Sequence, residues 1–108
     1  MESIQGPGMG PQDQKIYKQQ YKHGLDLFQR ALGEYSKADE IHKKDAFKKV
    51  MDQALDVLNE TARGLGRKDL LEQNVKISDD YQSYRAHDTE LEKNQLAQDL
   101  SSASKKIK

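Results

Sequence analysis

Three histidines, three pairs of adjacent lysines, a glycine-rich start and five tyrosines are the residues here whose types and spacing could do chemistry. His23 sits between Lys22 and Gly24, the cation and small neighbour a phosphotransfer histidine wants, but it shares its face with Tyr and Leu. His42 stands three residues before Asp45, and His87 three before Glu90. A zinc site wants three or four ligands from at least two elements, and these are two separate pairs, so no metal is expected. In Gly6-Pro-Gly-Met-Gly10 the glycines follow no strand and lack the Lys-Ser/Thr of a phosphate loop. With no strand pattern anywhere there is no α/β crevice for a nucleotide, and no cofactor is expected.

Lys43-Lys44 and Lys48-Lys49 form one basic cluster and Lys105-Lys106-Ile107-Lys108 a second. Such clusters can contact phosphates or lipid headgroups. Asp39, Glu40, Asp45 and Asp52 nearly cancel the field of the first, and the second favours a helix C-terminus through the helix dipole. Tyr17, Tyr21, Tyr81 and Tyr84 fall where the start of a first helix and the middle of a parallel third one would meet. They read as core residues with hydroxyls at the rim, or as a groove for an amphipathic partner helix.

Elements must position these groups, and composition says which. Eighteen Lys plus Arg balance eighteen Asp plus Glu, 33% of the 108 residues are charged, and mean hydropathy is −1.03. One domain fits that length. Zero net charge argues against a dedicated nucleic-acid binder. No apolar run is long enough to span a membrane, the opening residues lack the pattern of a secretory signal, and there is no cysteine. A cytoplasmic setting is expected.

Both prolines and three of the seven glycines lie within residues 1–12, which should form a flexible leader. Beyond them Tyr17, Tyr21, Leu25, Phe28, Leu32 and Tyr35 recur at helical spacing, with Asp13 as candidate N-cap. The stripe lapses over Ser36–Asp45, where Ser36, Asp39 and Asp45 are cap candidates. A second stripe runs Phe47, Val50, Met51, Ala54, Leu55, Leu58, Ala62 and Leu65. It ends at Gly64-Leu65-Gly66, where a glycine just past the last periodic residue is an αL stop. Asp69 then caps a third helix with Leu70, Leu71, Val75, Ile77, Tyr81 and Tyr84 facing inward. No Gly or Pro interrupts it, although a five-residue step from Leu91 to Leu96 breaks its register.

The expected fold is all-α: an antiparallel three-helix bundle with helices near 13–37, 44–64 and 68–104. The long third helix extends past the core. Residues 13–84 form the core domain, and 85–108 form a polar, partly disordered helical extension. At ~1.5 Å per residue the third helix runs ~54 Å, and its partners cover only half of it. Leu96, Leu100, Ala103 and Ile107 should then have no intrachain surface, with residues 93–108 ordering only against a second copy or a partner.

The stretches Leu25–Leu32 and Ala46–Leu55 resemble tetratricopeptide helix pairs and the three-helix domains that interact with microtubule or trafficking factors. In the tetratricopeptide pattern Leu-Gly-x-x-Tyr the tyrosine comes one position later than Tyr35 does after Leu32-Gly33. The resemblance implies peptide binding and transfers no residue. Three helices that fill their own interior leave little volume for the pocket an enzyme needs. The expectation is a non-enzymatic interaction module that binds a protein partner or itself through Tyr81, Tyr84, Leu96, Leu100 and Ile107. The alternative is an accessory nucleic-acid- or membrane-surface-associated protein acting through its lysines.

Overall fold

A computed structural model describes the chain from Pro11 to Lys108. The leader expected at 1–12 lies outside the described residues, except that the first helix already begins at Pro11. The described residues form four helices, α1 (Pro11–Lys37), α2 (Ile41–Leu65), α3 (Lys68–His87) and α4 (Glu90–Ile107), and no strand. Proline's fixed φ suits the first turn of α1, so Asp13 lies within the helix rather than capping it. None of the three cap candidates caps α2, since Ser36 lies inside α1, Asp39 in the turn and Asp45 inside α2 itself. Its N-cap is Glu40, extended at φ −105°, without a side-chain bond. Arg67 likewise precedes α3, and Asp69 lies inside its first turn.

The glycine stop after α2 is as read from the sequence. Gly66 adopts φ 66°, its N–H bonds the Arg63 carbonyl at 3.0 Å, and the Arg67 N–H bonds that of Ala62 at 3.1 Å. Those two bonds are the Schellman pair that satisfies a helix's last carbonyls. Gly24 serves α1 differently. A Cβ there would stand 3.2 Å from Leu58 and Val57, so the glycine lets α1 and α2 approach closely.

The three-helix expectation is corrected to four. The long third helix breaks at Asp88, a non-glycine residue at φ 53°, and Thr89 starts a new helix. The chain reverses, and α4 runs back along α3 and packs against α1 as well. Neighbours α1–α2, α2–α3, α3–α4 and α4–α1 all touch, giving a closed up-down-up-down ring 50 Å long. Lys44 at the start of α2 meets Asp88 at the end of α3 (3.8 Å), and Arg67 at the start of α3 bonds the Lys106 carbonyl at the end of α4 (3.1 Å).

Leu96, Leu100, Ala103 and Ile107 are fully buried in this ring, so the chain itself supplies the surface the sequence reading denied them. Burying a Leu or Ile is worth roughly 1.5–3 kcal/mol, which decides docking over fraying for a helix marginal by itself. Residues 13–84 and 85–108 therefore share one core. Val75, expected inside, is 59% exposed, whereas Gln73 and Asn74 are buried in its place.

Candidate functional site

The centre of the bundle is an aromatic and polar seam between α1 and α3, which run parallel. Tyr21, Phe28 and Tyr35 recur every seven residues on α1 and each meets a residue of α3. The Tyr21 hydroxyl donates to Asn74 Oδ1 at 2.7 Å, and Asn74 Nδ2 donates onward to Asn59 Oδ1 on α2 at 3.1 Å. Phe28 and Tyr81 meet edge to face with centroids 5.2 Å apart, and Tyr35 and Tyr84 do so at 5.6 Å. This register keeps Tyr17 and Tyr21 away from Tyr81 and Tyr84, so the four do not converge. Burial foremost, then Asp69, raises the Tyr21 phenol above its ordinary range. Tyr84 is pushed up to about 12, again mainly by burial and next by Asp88.

Beside this seam an open cleft of about 460 Å³ lies between α2 and α3, lined by Lys48, Asp52, Leu55, Tyr81, Gln82 and Arg85. The Tyr81 hydroxyl donates to Asp52 Oδ1 at 2.7 Å, and the Lys48 carbonyl stands 3.2 Å from it. Arg85 reaches the same carboxylate oxygen at 3.4 Å and lies over the Tyr81 ring, 5.2 Å from its centroid. Burial, then Asp52, raises the Tyr81 phenol, so it remains a donor and neither a base nor a nucleophile. Lys48 pairs with Asp45 at 3.3 Å. Each charge lining the cleft already has a partner, an arrangement suited to holding two helices together.

At the turn between α3 and α4, Glu92 makes four hydrogen bonds with three side chains. Thr89 caps α4 by accepting from the Glu92 N–H (3.2 Å) while its hydroxyl donates to Glu92 Oε1 (2.7 Å). The Ser83 hydroxyl and His87 Nδ1 (2.7 Å) engage Glu92 Oε2. The Ser83 hydroxyl foremost, then His87 and Thr89, hold the Glu92 carboxyl down at about 2. His87 thus meets Glu92, not the Glu90 that its spacing singled out. Between α3 and α4, Asp99 is buried, and its Oδ2 has no hydrogen-bond partner. Desolvation foremost, then the Asp80 carboxyl, pushes it up to about 6.

His23 and His42 are exposed on separate helices, and no three potential metal ligands come together among the described residues. Lys43 pairs with Glu40 at 3.4 Å and Lys44 with Asp88, so three of the four clustered lysines face an acid. Tyr81, Tyr84, Leu96, Leu100 and Ile107, assigned by sequence to a partner, are all at most 3% exposed. Among the large apolar residues that face water, Ile16 is 50% exposed and Val75, expected inside, 59%, and the two most exposed are ones the sequence reading assigned to no partner. Ile41 is 70% and Leu91 79% exposed, and both begin a helix at the end of the bundle that carries the 38–40 and 88–89 turns. Their place in the first turn of a helix, off the apolar stripe, was the available signal.

These features define an all-α, four-helix protein. Comparison with protein-family models, curated proteins and solved structures finds no match to this chain.

Proposed function

We propose that the chain is a non-enzymatic protein-interaction module that docks through the end of the bundle carrying Ile41 and Leu91. The observation behind this reading is the exposure of two large aliphatic side chains on the same end, each in the first turn of a helix. Around them stand ion pairs of mixed sign, Lys43–Glu40, Lys44–Asp88 and Lys93–Glu90 (3.6 Å). Exposed aliphatic side chains among charge-balanced ion pairs suit a protein surface, whereas phosphate backbones select a uniformly basic one.

Affinity capture from the native host with the parent and with an Ile41→Ser, Leu91→Ser variant as baits tests the reading. Proteins enriched on the parent should be lost from the variant by about tenfold, since tenfold is about 1.4 kcal/mol, within what two buried aliphatic contacts supply. Both sites are exposed, so the variant's thermal melt should match the parent's. Equal recovery on both baits refutes the reading. Gel shifts and liposome sedimentation across a salt series address the rival reading through Lys43, Lys44, Lys48, Lys49 and Lys105–Lys108. Salt-sensitive binding there would favour it.

A further inference from the structure

We propose that the partner of this end is a second copy of the chain, engaged by exchange of α4. When the turn at Asp88 and Thr89 straightens, α3 and α4 become one helix, and α4 of each copy occupies the α1–α3 groove of the other. This rests on the reading that the Ile41–Leu91 end is a docking surface.

The two turns that enter and leave α3 are built differently. The α2–α3 turn uses glycine in the left-handed region and closes with two backbone bonds. The α3–α4 turn places a residue with a Cβ there and makes one, from the Asp88 N–H to the Tyr84 carbonyl at 2.7 Å. Left-handed backbone is disfavoured for residues other than glycine, although Asp tolerates it better than most. No Gly or Pro lies between Lys68 and Ile107, so a continuous helix is sterically open to that sequence, and the Thr89 cap is what marks the break. What keeps the turn closed is the cluster on Glu92, whose partners His87 and Thr89 are exposed side chains.

A second copy is the occupant that fits, because α4 and its groove are the same in every copy. Leu96, Leu100, Ala103 and Ile107 would be covered as before. The bonds from Gln73 Nε2 to the Asp99 carbonyl (3.0 Å) and from Arg67 to the Lys106 carbonyl would re-form between chains. Only the hinge changes, which is why exchange of identical elements is a low-cost route to dimers. A straight Lys68–Ile107 helix runs ~60 Å, longer than the 50 Å molecule, so its second half projects beyond the Ile41–Leu91 end. The two copies then meet at that end, and the exposed Ile41 side chains lie at the junction.

The test uses Asp88→Ala with Thr89→Ala, which removes the left-handed residue and the cap while favouring helix. Light scattering after size exclusion should give twice the 12.4 kDa chain mass, with helix content undiminished. Asp88→Gly, which relaxes the turn, should stay monomeric. The chain lacks cysteine, so Arg67→Cys chains and Lys106→Cys chains, each in the double-alanine background, can be refolded together and treated with a bismaleimide whose spacer matches the reach of the arginine side chain that joins the two positions. An interchain crosslink is expected, because exchange places those positions within that reach across copies. A natively helical monomer overturns the proposal, as does a dimer that forms no such crosslink. If the double variant does not fold, the parent refolded from denaturant at high concentration serves instead. A dimer that returns to monomer only after unfolding is expected, and monomer alone overturns the proposal. Loss of capture by the Ile41→Ser, Leu91→Ser bait together with a monomeric hinge variant would refute exchange and leave the docking surface standing.

Discussion

At neutral pH the carboxylate of Asp99 is a charge enclosed in the α3–α4 seam, so Asp99→Asn is expected to stabilise the protein. Its Oδ2 has no hydrogen-bond partner. The groups acting on it are the Asp80 carboxyl and the Lys76 ammonium of α3 and the Gln95 amide of α4, the last 3.4 Å from Oδ1. Gln73 is spent on the Asp99 main-chain carbonyl. The folded-state value of about 6 lies above the ordinary 3.8, so the folded chain binds a proton that the unfolded chain has released. Stability from this group is therefore fully present below 3.8 and is lost as pH rises through 6. Two units correspond to about 3 kcal/mol, and asparagine, itself desolvated, should recover about 1–3 kcal/mol of it at pH 7. For a domain of this size each kcal/mol moves the melting temperature by about 4–8 °C. Thermal melts of parent and variant across this range should show a gap that closes as pH falls from 6 towards 4, whatever other carboxylates contribute to both. A variant no more stable than the parent at pH 7, or a gap that does not change with pH, would refute the reasoning.

Three further substitutions probe the seam and the helices. Tyr21→Phe leaves Asn74 Oδ1 buried without its donor and should cost about 1–3 kcal/mol in a denaturant titration. Gly33→Ala meets nothing within 4 Å and should add about 0.5–1 kcal/mol of helix stability, read as a raised melting temperature. Gly64→Ala should not raise it, because the new Cβ would stand 2.9 Å from the Tyr17 ring.

The first half of the fold was legible because its apolar stripes keep one period, and because Gly66 marks its end with the residue the backbone needs there. The second half misled for a physical reason. Helix breaks are read from Gly and Pro, and this one rests on Asp88, which reaches the left-handed region without announcing it. Two signals were present. The five-residue step from Leu91 to Leu96 is where α4 re-phases, and Thr89-Glu-Leu-Glu92 has the residue spacing of a capping box, with Thr89 accepting from the Glu92 N–H. On α3, hydropathy favoured Val75 over Asn74 for the core, but the buried Tyr21 hydroxyl needs an acceptor, so the polar residue is inside. The candidate docking residues escaped notice because a periodic stripe identifies what is covered. Ile41 and Leu91 precede the stripes of their helices.

The closed ring also dictates an order of assembly. Three of its four seams join helices adjacent in sequence, and such local contacts form quickly because they close short loops. The α4–α1 seam joins the two ends of the described chain and can form only when both hairpins exist. Folding should therefore run as two hairpins followed by ring closure. The choice between a chain's own α4 and a neighbour's precedes that closure, while the turn at Asp88 is still open and α4 has not folded onto its own α3. Protein concentration during folding, more than in the finished state, would then set how many rings close on themselves.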